Sequence, residues 1–158
     1  MSMYGLKKIF ATGLTEVSTT DKEGVGCLRI EGPNIYKYVK YNEGAGSVAS
    51  GAGKPCGYKG NSDTEVTCDV SDATGGFAGI CMATMADGGY GWIQIYGKYE
   101  NAVTSGTVNA GAAVAFTTDG ALTALDDTYA AADLAGYAGV ALEAASSNKA
   151  DVFIKGGL

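Results

Sequence analysis

Residues 76–97 read GFAGICMATMADGGYGWIQIYG, and this stretch decides the fold. Its first arm, 77–83, sets Ala78, Ile80 and Met82 at alternate positions, and its second arm, 92–96, does the same with Ile93 and Ile95. Alternation with a period of two is the pattern of half-buried strands. Between the arms, Ala86-Asp87-Gly88-Gly89 supplies residues that turn a chain through positive φ. The stretch therefore reads as a β-hairpin.

The same unit closes the chain. Residues 136–142 (GYAGVAL) follow 76–82 (GFAGICM), and 151–156 (DVFIKG) follow 92–97 (WIQIYG) after a loop one residue shorter. The offset is about 60 residues, a spacing that identifies repeats. It extends backwards: Gly46, Val48, Gly51 and Ala52 correspond to Gly106, Val108, Gly111 and Ala112. The expected fold is all-β, a compact barrel- or sandwich-like body of two tandem β repeats with an N-terminal extension. The divisions are 1–34 (an arm and a first strand), 35–97 and 98–158, the two repeats sharing one core as a single domain.

Composition agrees. The 158 residues are 46% hydrophobic and 18% charged, enough apolar matter for a core. With 25 glycines and 2 prolines, short alternating runs favour tight turns between strands. No apolar run approaches a membrane span. The opening MSMYGLKKIFATGL lacks the apolar core of a signal peptide, so none is expected. A net charge of −6 argues against direct contact with a phosphate backbone.

Along the chain, residues 14–24 read as a solvated turn. Strands are expected at 25–30, ended by Glu31-Gly32-Pro33-Asn34, and at 35–41, with Tyr36, Tyr38 and Lys40 on one face and Ile35, Lys37, Val39 and Tyr41 on the other. A short strand follows at 48–52, a loop at 54–62 and a strand at 64–70. Further strands are expected at 103–108 and 112–117. Residues 121–134 (ALTALDDTYAAADL) have helical composition, but the repeat aligns them with a strand region at 61–74.

Comparing the repeats separates the faces. Ile80, Met82, Ile93 and Ile95 match Val140, Leu142, Val152 and Ile154, so these are expected to face the core. Trp92, Gln94 and Tyr96 stand against Asp151, Phe153 and Lys155, so this face is free to carry a partner. Aromatic residues with Gln suit an interface core. Trp92, Gln94, Tyr96 and Phe153, with Tyr36 and Tyr38, are the candidate partner or oligomer contacts. The competing reading is that Trp92 and Tyr96 cover the second side of the sheet within the chain.

Signals for chemistry are weak. The chain has no histidine, hence no histidine general base or Ser-His-Asp triad. Cys27, Cys56, Cys68 and Cys81 lie far apart, form no C-x-x-C pair, and read as buried thiols of a reducing compartment. Asp126, Asp127 and Asp133 lack the surrounding pattern of a Ca²⁺ loop and read as solvated. No catalytic, cofactor-binding or metal site is expected, and the chain is not expected to be an enzyme.

The ordered segments 36–41 (YKYVKY), 51–55 (GAGKP), 66–82 (VTCDVSDATGGFAGICM), 90–95 (YGWIQI) and 138–145 (AGVALEAA) resemble the capsid decoration, or cement, proteins of tailed bacteriophages. The resemblance runs from about residue 35 onward. It implies a virion structural protein, made in the host cytoplasm, on the outer surface of the head. It also implies the major capsid protein as partner, a homotrimeric state, and no direct contact with nucleic acid or membrane. A head-fibre, tail-tube or tail-fibre module of the virion, able to touch host glycans, is the alternative.

Overall fold

A computed structural model describes residues 9–125 and 134–155 of the chain. Its strands are β1 (Leu28–Glu31), β2 (Asn34–Tyr41), β3 (Pro55–Tyr58), β4 (Glu65–Thr67), β5 (Phe77–Cys81), β6 (Tyr90–Val103), β7 (Ala113–Thr118), β8 (Ala121–Ala124), β9 (Tyr137–Ala141) and β10 (Lys149–Ile154). The protein is nearly all β, as the alternation predicts.

The strands form two rings joined by one long strand. In the first, β2, β4, β3, β5 and β6 pair in that order, and β6 returns to β2, closing a five-stranded barrel. All its neighbours are antiparallel except β2 and β4, which run parallel. The second ring follows the order β6, β10, β9, β7, β8. It comes back to β6 through a parallel bridge between Thr104 and Leu122, where the Ser105 amide donates to the Leu122 carbonyl at 2.8 Å. The two halves therefore use the same pairing scheme, including the parallel contact at the same place. This is the tandem repeat in three dimensions. β6 serves both: Tyr90 to Tyr96 pair with β2, and Gly97 to Val103 pair with β10.

The repeated glycines have a packing reason. A Cβ on Gly79 would lie 2.6 Å from the Gln94 carbonyl oxygen, and one on Gly139 would overlap the Phe153 carbonyl oxygen. Gln94 and Phe153 occupy matching positions in the two hairpins. Beside each glycine the register slips by one residue. Phe77 and Gly79 pair with Gly57 and Cys56, and Tyr137 and Gly139 pair with Ala115 and Val114, so Ala78 and Ala138 are bulged out of the ladder.

That duplicated bulge corrects the expected inner face. Alternation from Ala78 through Ile80 to Met82 does not survive it. Ala78 and Cys81 enter the core of the first ring, Ile80 joins the core of the second, and Met82 lies against an aromatic cluster outside both. The counterparts Ala138 and Ala141 likewise point into the second core, whereas Val140 is half-buried and Leu142 is exposed. Ile93, Ile95, Val152 and Ile154 are buried in the cores as expected.

Other boundaries move too. Residues 48–52 form no strand; there Ser50 uses its hydroxyl to brace Met85, accepting from its amide at 2.6 Å and donating to its carbonyl at 2.8 Å. The strand lies instead within the expected loop, as β3. Pro55 is its first residue, the position at which a missing N–H costs least. Gly57 is bare because a Cβ would come within 2.6 Å of Ala73. Of the strand expected at 103–108, Val103 is the last residue of β6 and Thr104 makes only an isolated bridge. Of the 121–134 segment, Ala121–Ala124 is strand and 126–133 lies outside the described residues, as do Asp126, Asp127 and Asp133.

Candidate functional site

Four of the six candidate contact residues are buried within the chain. Tyr36 and Tyr38 on β2 and Trp92 on β6 form one cluster on the outer side of the first ring. Trp92 meets Tyr38 nearly edge-on at 5.1 Å between centroids, and Phe10 meets Trp92 at 5.5 Å with an interplanar angle of 80°. Aromatic pairs favour this geometry because the positive ring edge meets the negative face.

Phe10 belongs to a strap, residues 9–24, that lies over this face. Its central residue is Thr12, which is buried. The Trp92 Nε1–H donates to Thr12 Oγ1 at 2.9 Å, and Thr12 donates in turn from its hydroxyl and its amide to Glu23 Oε1, at 2.8 and 2.6 Å. Arg29 donates from Nη1 to the Thr12 carbonyl at 2.9 Å, and its guanidinium lies 4.9 Å from the Phe10 ring centre and 5.8 Å from that of Trp92. Farther along, Ser18 and Tyr90 exchange backbone hydrogen bonds at 2.9 and 2.8 Å. The competing sequence reading is the one the geometry realises at Trp92: the aromatic face is covered by the chain's own N-terminal segment. Burial also raises the Tyr38 phenol above its ordinary pKa.

Gln94 is buried for another reason. Its Nε2 donates to the carbonyls of Tyr96 and Lys98 at 3.2 and 2.9 Å, bracing β6 where it passes from one ring to the other. Tyr96 and Phe153 are different. They remain half-exposed and meet edge to face at 5.5 Å and 82°. Beside them Lys98 bonds Asp151 at 2.8 Å and Glu100 at 3.3 Å. These bonds raise the pKa of Lys98, and the Lys98 bond depresses that of Asp151.

The sequence reading missed a second surface. β1 exposes Leu28 (50%) and Ile30 (71%), with Ile9 (90%) on the rim of the same groove as Ile30. The available signal was the alternation of Leu28 and Ile30 in LRIE. What the alternation faced depended on pairing, which is not written in the sequence.

No disulfide joins the four cysteines. Cys56, Cys68 and Cys81 are buried in the first core, and Cys27 is half-buried. Desolvation raises the Cys56 thiol, while hydrogen bonding among the thiols, reinforced by burial, raises Cys68 and Cys81. Among the described residues, no three metal-ligating side chains are grouped to hold an ion. Asp69 is buried, and its carboxylate accepts from the Ser71 hydroxyl and amide at 2.6 and 2.9 Å and from the Gly46 amide at 2.8 Å. The Ser71 bond and then the Gly46 bond hold its pKa below the usual carboxylate range. This carboxylate ties loop 42–47 to loop 69–72 and has a structural role.

No protein-family model and no curated protein matches the sequence. Among solved structures, the chain is similar to the N base of the head fiber gp8.5 of bacteriophage phi29. The identity is 13% and the TM-score 0.49, over 77% of this chain and 94% of that one. A likeness of that degree carries no argument about this chain.

Proposed function

We propose that this chain is a structural protein of a tailed-bacteriophage virion. In this reading it binds the outer surface of the head, bridges neighbouring major capsid protein subunits and stabilises the expanded capsid, acting as a homotrimer and not as an enzyme. What carries the reading is the order of short motifs in which the sequence resembles decoration proteins. In the fold four of the five motifs lie on strands, 36–41 in β2, 66–82 from β4 through β5, 90–95 at the start of β6 and 138–145 over most of β9, while 51–55 is the turn that enters β3. What is shared is thus a body, and cementing a shell is a task for a body. Two rings on one continuous strand leave few free strand ends to yield under load. Symmetry multiplies each weak contact with the shell into avidity. The half-exposed Tyr96–Phe153 pair is the surface on this body with interface composition.

The test is binding of purified protein to expanded, undecorated heads, followed by heating. The expected result is saturable binding and a higher temperature of head disruption, with Phe153→Ala binding more weakly. Absence of binding, with the protein found at the tail or in a fibre of intact particles, would replace this reading with the tail or fibre alternative.

A further inference from the structure

Ring closure removes sheet edges, because every strand then has a neighbour on both sides. Among the described strands, the sheet order ends at β1 and β8. β8 meets the end of β6 at Leu122, through an isolated bridge to Thr104 and a hydrogen bond from the Ser105 amide. β1 is paired on one side alone, to β2.

The hydrogen-bond parity of β2 shows which groups of β1 face outward. The Tyr38 amide donates to the Cys27 carbonyl, and that of Lys40 donates to Thr64 on the same edge. The Tyr41 amide donates to Gly89 on the opposite edge. Residues alternate along a strand, so Tyr36 and Asn34 also face β1, opposite Arg29 and Glu31. The N–H and C=O groups of Leu28 and Ile30 therefore point away from the sheet. Among the described residues, the Cys27 thiol lies 3.7 Å from the Leu28 carbonyl oxygen on this ladder. Natural edges are blunted by lysine, proline or charge. This one is four residues long and carries the charges of Arg29 and Glu31, but they alternate with Leu28 and Ile30, both well exposed.

We propose that the β1 edge is a self-association surface, on which β1 of a second copy pairs antiparallel about a twofold axis at Ile30. The sequence Leu28-Arg29-Ile30-Glu31 is complementary to itself in that register. Ile30 faces Ile30 of the partner subunit, in the hydrogen-bonded parity that both edges require. Arg29 comes opposite Glu31 of the partner subunit, and Glu31 opposite Arg29 of the partner subunit. Within one chain these two already meet, Arg29 Nε donating to Glu31 Oε1 at 2.7 Å, so a dimer extends one ion pair into an alternating four-charge row. Opposite charges across an antiparallel pair are stabilising, whereas in a register centred on Arg29 two arginines would oppose each other. The register centred on Ile30 is thereby selected. A shared twofold is the commonest closed symmetry. Four residues a side make a small interface, so the association is weak and concentration-dependent. This inference does not depend on a virion role.

The experiment is sedimentation equilibrium of the full chain over a range of concentrations, with amide hydrogen exchange at Leu28 and Ile30. The expected results are a mass that rises with concentration above that of the Ile30→Lys variant, and protection of both amides that rises in parallel. Ile30→Lys should raise the dissociation constant at least about tenfold, and Glu31→Gln by about two- to fivefold. Ile30 is exposed, so an unchanged melting curve for Ile30→Lys at low concentration confirms that the variant is folded. Three results would overturn the proposal: a mass that does not change with concentration, a concentration-dependent association that Ile30→Lys leaves unchanged, or protection of the two amides at the lowest concentration, which would mean that the edge is already covered.

Discussion

Asp69 and Thr12 illustrate how single polar groups inside this molecule act. Asp69 has a depressed pKa in the fold and an ordinary one, about 3.9, when unfolded. Its contribution is therefore complete above that value and is lost as pH falls through the lower folded value. Thermal melts should show stability declining below about pH 4, and Asp69→Asn should be weaker at pH 7 but decline less on acidification. Thr12 is the hub between Trp92, Glu23 and Arg29. Thr12→Val keeps the shape, removes the hydroxyl and leaves the buried indole N–H without its acceptor, a cost of about 1–3 kcal/mol. Denaturant titration measures that loss. Trp92 is the single tryptophan, so its fluorescence reports the same site. The importance of Trp92 was legible from its place beside a core strand, but its partner, 80 residues away, was not.

Two elements invert simple expectation, the bulged strand and the strap. At β9, Gly139→Ala sets a methyl group against the Phe153 carbonyl of the neighbouring strand, where backbone must move. The loss should be about 2–4 kcal/mol by denaturant titration. Gly106→Ala is the control: it has open space and a positive φ of 71°, and should cost about 1–2 kcal/mol from backbone strain alone. The strap was read from sequence as a loose extension. In the fold, its residues 9–24 cover Trp92 and Tyr38. Deleting residues 1–24 should therefore red-shift the Trp92 emission and lower the melting temperature. An unchanged spectrum would show that the strap does not shield the indole.

For the molecule as a whole, the two repeats are linked by more than a tether. β6 is shared between the rings, and Phe77 and Ile80 of the first repeat pack in the core of the second. Trp92 fluorescence reports the first ring, while far-ultraviolet circular dichroism reports both. In denaturant the two transitions should coincide. A Trp92 transition that precedes the loss of strand signal would show that the halves unfold separately.

The sequence by itself determined the class and the duplication. Alternating apolar positions, the glycines of each hairpin and the offset of about 60 residues are local facts, and each ring repeats them. The tertiary structure decided which faces are covered. A strand's alternation says that two faces differ, but not which segment arrives to bury either one. Thus Trp92, Tyr36 and Tyr38, whose composition suits an interface, are buried beneath residues far away in the chain. β3 was hidden for a related reason: Pro55 and Gly57 have weak strand preference, and only pairing with β4 and β5 on both sides makes them a strand. The β1 edge follows the same logic, since an edge is defined by the absence of a second neighbour, a property of the assembled sheet and of no residue in it.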